Sequence, residues 1–303
     1  MKHPNGEKSL TLVECPRDAM QGWSHIIPTE KKIAYLNALL KVGFPVLDFG
    51  SFVSPKAIPQ MADTARVLEG LDKQHIAAPG KPGGHFSAHQ THLLAIVANF
   101  RGAEEAAAFE EISYLGFPFS VSETFQLRNT NKTIEGSLAT VEEMLDLCAK
   151  RQKELVVYLS MGFGNPYGDP WNEEIVFEWA DTLSRLGVRI ISVADTVGLA
   201  TPEQVFSVTD YIIKALPDHT IGVHLHAHHA HWKKKVDAAL QAGCHRFDGA
   251  LKGIGGCPMA GDELVGNMDS TLMIPYFKSK GLLSGLDEEA LAGSLRLANE
   301  IFV

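Results

Sequence analysis

Eight times along the chain a short apolar, β-branched-rich run is followed by a longer stretch whose apolar positions recur at helical spacing, the rhythm of a parallel sheet with crossover helices. The runs are Leu10 to Cys15, Pro45 to Gly50, Leu93 to Ala98, Ile112 to Phe119, Leu155 to Met161, Arg189 to Ala194, Thr220 to Leu225 and Arg246 to Leu251. Helical patterns cover Thr29 to Val42, Glu135 to Arg151, Glu173 to Leu186, Pro202 to Ala215 and Trp232 to Ala242. An open doubly wound sheet commonly has fewer strands and a G-x-G-x-x-G turn after the first of them, and no such turn is present. The expected fold is therefore an α/β (β/α)₈ TIM barrel, with residues 1–303 as a single catalytic domain.

Punctuation agrees with the pattern. Thr29 follows a proline, Thr201 precedes Pro202, and Gly43, Gly187 and Gly243 stand just past helix ends. Two stretches break the rhythm: Gln74 to Gln90, rich in Gly, Pro and His, and the glycine-studded Gly253 to Gly266, expected to be a mobile loop over a bound substrate.

Hydrophobic residues make up 45% of the chain and charged residues 21%, enough for a true core. A net charge of -9 with no long basic run excludes general nucleic-acid binding. An anionic substrate must then find local cations, for which Arg128, Lys132 and the run Lys233, Lys234, Lys235 are available, although such a run is commonly a solvated helix face. Cys15, Cys148, Cys244 and Cys257 form no C-x-x-C pair, so no disulfide framework or structural zinc site is expected and a reducing, cytoplasmic setting fits. With no apolar run near the length of a bilayer span and no apolar leader, no membrane partner is expected.

Reacting groups of a TIM barrel lie at the C-terminal strand ends. Ionisable residues gather there: Arg17 and Asp18 after the first strand, Asp48 in the second with Ser51 after it, Asp195 and Thr196 after the sixth, His224 and His226 in the seventh, Asp248 in the eighth. Alternate residues of a strand share a face, so His224 and His226 point together into the barrel mouth. With Asp18 they make a two-histidine, one-carboxylate set suited to Mg²⁺, Mn²⁺, Fe²⁺ or Zn²⁺. The six histidines from His219 to His231 also fit a plain histidine-rich loop. Arg17 and Asp18 fit either an ion pair or an oxyanion partner beside a metal, and Asp48 and Asp195 either turn formers or acid–base groups. Cys257, with glycine before it and proline after it, suits a loop thiol able to pass a proton.

Ser51-Phe52-Val53-Ser54-Pro55-Lys56, continuing to Pro59-Gln60-Met61-Ala62-Asp63, resembles a long, distinctive stretch of the 3-hydroxy-3-methylglutaryl-CoA lyase family. Pro16-Arg17-Asp18 with Gln21, Asp195-Thr196-Val197-Gly198, Val223-His224-Leu225-His226 and Gly255-Gly256-Cys257-Pro258 with Gly266-Asn267 match further family motifs in the same order. The resemblance spans roughly residues 10 to 270 and implies a metal-dependent TIM-barrel lyase acting on an acyl-CoA, as a homo-oligomer. It implies Mg²⁺ or Mn²⁺ on Asp18, His224, His226 and Asn267. Arg17 would steady the enolate, His224 would assist proton transfer, Cys257 would be the loop thiol, and Asp48 and Asp195 would sit beside them. Gln21, Ser51, Tyr158, Ser192 and Thr196 would line the pocket.

The chain departs from the family in three places, one of them a loop between Cys257 and Asn267 that is one residue longer than in the animal enzymes. Ala227-His228-His229-Ala230-His231 follows His226 where D-T-Y-G is usual, and Gly22-Trp23-Ser24 follows Gln21 where N-E-K is typical. The lysine replaced at Ser24 is one expected to meet CoA, so the acyl and CoA contacts are where this chain is expected to differ. The implied reaction is a retro-Claisen cleavage. A Claisen-type synthase joining an acyl-CoA to a 2-oxo acid, and a silent metal- or acyl-CoA-binding relative, are the alternatives.

Overall fold

The computed structural model describes residues 10–78, 90–227, 229–256 and 265–303. Eight strands, β1 (Thr11–Glu14), β2 (Val46–Ser51), β3 (His92–Ile96), β4 (Ile112–Ser120), β5 (Glu154–Ser160), β6 (Ile190–Ala194), β7 (Thr220–His224) and β8 (Arg246–Gly249), pair in parallel, each with the next in sequence. The ring closes where β8 pairs with β1, from Thr11 opposite Arg246 to Glu14 opposite Gly249. All eight expected strands are present, within a few residues of their expected ends.

The helices are α1 (Pro16–Gln21), α2 (Thr29–Val42), α3 (Thr64–Glu69), α4 (Phe100–Ala107), α5 (Glu123–Thr130), α6 (Ile134–Arg151), α7 (Glu173–Leu186), α8 (Pro202–Ala215), α9 (Trp232–Gln241), α10 (Ser270–Ser279) and α11 (Glu288–Ile301). Their starts follow from side-chain caps: Ser122, Thr133, Asn172 and Thr201 each accept from a backbone N–H in the first turn, and Thr201 and Gln204 complete a reciprocal capping box. Thr29 behaves differently from a cap. It is already helical, and its hydroxyl donates to Asp63 Oδ2 at 2.7 Å.

Strand alternation divides the core in two. Val13, Cys15, Val46, Leu94, Ile96, Tyr114, Val156, Tyr158 and Ile190 pack together inside the barrel. The opposite faces of the strands pack against the helices, as Leu12, Leu47, Leu93, Leu115, Leu159 and Ile191 do. The register of β2 against β3 slips between Asp48 and Gly50, a bulge of the kind that re-aims a side chain near a site.

Among the described residues no helix is long and apolar enough to cross a membrane.

Candidate active site

The first strand ends sooner than its sequence suggests. Pro16 opens α1, where its fixed φ and missing N–H cost nothing, so Arg17, Asp18 and Gln21 stand on a short helix over the barrel mouth instead of extending β1. The helical turn brings Arg17 and Gln21 onto one face. Arg17 Nη1 donates to Gln21 Oε1 at 2.8 Å and to Asp18 Oδ1 at 2.9 Å, and Gln21 Nε2 also donates to Asp18 Oδ1, at 2.8 Å.

The other edge of the guanidinium faces Asp48. Arg17 Nε lies 3.0 Å and Nη2 2.5 Å from Asp48 Oδ2. Burial works against the charge on Arg17, yet Asp48 and Asp18 outweigh it and hold its pKa above the usual value. Burial pushes Asp48 up to about 6, against the pull of Arg17. For Asp18, burial is outweighed by Arg17 and the two imidazoles, and its pKa is lowered. A carboxylate held ionised beside a fixed guanidinium is a preorganised charge pair aimed at the mouth.

His224 ends β7 and His226 lies two residues on, so their rings fall on the same side. Their Nε2 atoms approach to 3.3 Å. Ligand atoms of Asp18, His224 and His226 all lie within 4.8 Å of one another. Burial, then the neighbouring His224, pushes His226 down to about 4, so its ring is neutral near pH 7 and keeps a lone pair to offer. His224 Nδ1 stands 3.1 Å from Asp248 Oδ2, an interaction that outweighs burial and raises the His224 pKa. Two imidazoles and an ionised carboxylate converging on one point are a donor set that fits a divalent cation.

Asn267 meets this set from the segment that leads into α10, where it makes an isolated bridge with His226. Its Nδ2 donates to Asp18 Oδ2 at 2.7 Å and to the Ile254 carbonyl at 2.9 Å. Gly255, at φ +98°, passes so close that a Cβ there would lie 2.6 Å from the Asp18 carbonyl and 2.8 Å from Asn267 Nδ2. Only glycine fits that approach. Cys257 lies outside the described residues, as does most of the expected mobile loop.

A cavity of about 260 Å³ opens over these groups. Of the expected residues, Arg17, Asp18, Gln21, Tyr158, Thr196, His224 and His226 line it. Asp48, Ser51, Ser192, Asp195 and Asn267 do not. Ser51 Oγ accepts from Val53 N at 3.2 Å and lines a neighbouring cavity of about 300 Å³. Ser192 is fully buried on β6. Asp195 faces Lys235, whose Nζ lies 2.7 Å from Asp195 Oδ2 and 2.7 Å from the His226 carbonyl. Its other oxygen accepts from Ala200 N at 3.1 Å, so it forms the turn after β6. Thr196 Oγ1 accepts from Met161 N at 2.9 Å, and Met161 holds a left-handed φ of +57° at the mouth end of β5.

Lys235 corrects the reading of its run as a solvated face: it is 5% exposed. Lys132 bonds the Thr140 hydroxyl. Arg128 does line the cavity, with its guanidinium 4.6 Å from the Tyr167 ring centroid. Ser160, Phe125 and Asn129 are lining residues that the sequence reading missed. Alternation from Tyr158 along β5 identifies Ser160; the other two stand on α5, where no strand period points to them.

Residues 12–297 match the family model described as HMGL-like. The chain is 31% identical over 274 residues to the cytoplasmic 3-hydroxy-3-methylglutaryl-CoA lyase of Rattus norvegicus, covering 90% of this chain and 75% of that one. It is 32% identical over 254 residues to a hydroxymethylglutaryl-CoA lyase of Bacillus subtilis, covering 84% and 80%. Among solved structures, the HMG-CoA lyase of Brucella melitensis superposes with a TM-score of 0.85 at 27% identity, covering 98% of this chain and 99% of that one. An HMG-CoA lyase of Acinetobacter baumannii in complex with coenzyme A and 3-methylmalate superposes with a TM-score of 0.84 at 28% identity, covering 97% and 91%.

Proposed function

The chain belongs to the HMGL-like family, and from that premise we propose that it is a divalent-metal-dependent lyase that cleaves HMG-CoA to acetyl-CoA and acetoacetate. The observation that carries the reading is the convergence of Asp18, His224 and His226 on one point beside a fixed guanidinium. Family membership supports dependence on a divalent metal, which we read as Mg²⁺ or Mn²⁺ on Asp18, His224, His226 and Asn267. When bound, the cation supplies Lewis-acid charge that lowers the pKa of the substrate's C3 hydroxyl.

The residues of the chain do the rest. The hydroxyl proton is taken by a carboxylate oxygen of Asp18, with His224 assisting by holding the cation beside it, and the C2–C3 bond breaks as its electrons move into the thioester carbonyl. Arg17, locked by Asp48, Asp18 and Gln21, meets the developing enolate oxygen without reorganising, which is where oxyanion stabilisation is strongest. Asp48 holds that guanidinium from behind the cavity wall. Cys257 returns a proton to C2, releasing acetyl-CoA. Gln21, Tyr158 and Thr196 shape the acyl pocket, with Ser51, Ser192 and Asp195 supporting the wall.

Residues 1–303 are taken as one catalytic unit in the cytoplasm, a compartment that fits the three free buried cysteines described. We read the assembly as a homo-oligomer from family membership, and light scattering tests it.

Purified protein incubated with HMG-CoA and Mg²⁺ or Mn²⁺ should yield acetoacetate and acetyl-CoA in equal amounts, and chelator should abolish the yield. No acetoacetate with either metal, with the thioester left intact, would overturn the reading.

A further inference from the structure

One inward-facing row crosses four adjacent strands. Tyr158 on β5 pairs in register with Ser192 on β6, Ser192 with Gly222 on β7, and Gly222 with Arg246 on β8. The gap in the row is used. A Cβ at Gly222 would lie 2.9 Å from Cδ of Arg246, so the absent side chain is what admits the arginine stem. Asp248 stands two residues beyond Arg246 on the same strand, facing the same way.

These groups are buried, with Arg246 3%, Ser192 0%, Tyr158 7% and Asp248 2% exposed. Nevertheless Tyr158 Oη, Ser192 Oγ, Arg246 Nε and Nη2, and Asp248 Oδ1 have no hydrogen-bond partner. Native interiors rarely leave buried polar atoms unmet, and several in one place mark a site. The cluster adjoins the cavity: Tyr158 itself lines it, Asp248 Oδ2 is the oxygen at His224 Nδ1, and the Tyr158 ring meets His224 edge-on at 5.7 Å between centroids.

We propose that Arg246, Asp248, Tyr158 and Ser192 enclose an internal water site beneath the barrel mouth, and that Asp248, steadied through it by Arg246, is the positioning residue that aims His224 Nε2 at the cation. Water suits the groups better than an anion does. Arg246 presents N–H donors, Asp248 Oδ1 only accepts, and the two hydroxyls do either, so a molecule that both accepts and donates can satisfy them all. An anion would face the Asp248 carboxylate. With Nδ1–H of His224 committed to Asp248, the tautomer is fixed and Nε2 carries the lone pair. The inference rests on the metal reading above.

The test is Mn²⁺ titrated calorimetrically into the metal-stripped full-length protein, together with a high-resolution crystal structure. Asp248→Asn, which removes the charge and leaves one acceptor oxygen where His224 and the water each use one, and Arg246→Met, of similar volume without charge, should each weaken Mn²⁺ binding about tenfold or more. Arg246→Lys should restore most of it. Tyr158→Phe, which keeps the ring and removes only the hydroxyl, keeps the test alive if Arg246→Met fails to fold, with an expected loss of about threefold. The crystal should show ordered water bridging Arg246 and Asp248 Oδ1. Folded Asp248→Asn and Arg246→Met proteins that bind Mn²⁺ as tightly as wild type would overturn the positioning role while leaving the lyase reading standing. A wild-type protein that binds no Mn²⁺ would overturn both. An anomalous bromide peak at Arg246 after a bromide soak would overturn the choice of water.

Discussion

The Nε2 atoms of His224 and His226 face one another at 3.3 Å, with the Asp18 carboxylate in reach of both. Two imidazole nitrogens aimed at each other make at best one hydrogen bond, whereas a shared cation satisfies both and the carboxylate as well. His226→Ala should therefore weaken Mn²⁺ binding by about a hundredfold and reduce kcat in step, with little loss of thermal stability. Calorimetry and steady-state rates check it. Unchanged metal affinity would remove the imidazole from the donor set.

Arg17 spends both edges of its guanidinium, one on Asp48 and the other on Asp18 and Gln21. A lysine cannot reproduce that planar fork. Arg17→Lys should lower kcat by about 10²- to 10³-fold with a smaller change in KM, because the lost interaction belongs mainly to the enolate. It should also destabilise the fold, since Asp48 is left buried with a poorer partner. A variant whose KM rises while kcat holds would place Arg17 in ground-state binding alone.

Gly255 backs directly onto the Asp18 carbonyl and the Asn267 amide. Gly255→Ala adds one carbon where backbone, not a flexible side chain, must give way, at a φ that disfavours any Cβ. The expected result is a loss of metal affinity and rate together, with a drop in Tm of a few degrees. Gly243→Ala is the control: it is also left-handed, at φ +87°, but has nothing within 4 Å of its Cβ and lies away from the mouth. It should lose stability alone.

Most of the barrel was legible because strand and helix write different periods into the sequence, and α7 and α8 run over the residues their patterns marked. The histidine pair was legible for the same reason, since residues two apart on a strand share a face. What the sequence hid was partnership. Lys235 reads as one of three solvated lysines, and only the fold places it between Asp195 and the His226 carbonyl. Asp18 reads as a strand end, although Pro16 opens a helix beneath it. Arg246, two residues before Asp248 on a four-residue strand, carries no local sign of the row it completes. Each of these depends on contacts between distant segments, which no window of sequence contains.

Glu14 provides a prediction on stability and pH. It faces outward from β1 into the packing beside α10, where Oε1 accepts from Leu251 N at 2.7 Å and Oε2 meets the Ser270 hydroxyl at 2.6 Å. Burial pushes its pKa from an ordinary 4.5 up to about 8, only partly offset by Ser270 and Leu251. The folded protein thus keeps a proton that the unfolded chain gives up above its own lower pKa. The stability tied to Glu14 is complete below that lower value and is lost progressively as pH rises to about 8, each pKa unit being worth about 1.4 kcal/mol. Glu14→Gln keeps the shape and removes the titration. Denaturant midpoints measured from pH 5 to pH 8 should fall less steeply for Glu14→Gln than for wild type, with the mutant gaining relative to wild type at the alkaline end. Parallel curves for the two proteins would mean that Glu14 is ionised in the folded state throughout, and that its bonds to Leu251 and Ser270 outweigh its burial.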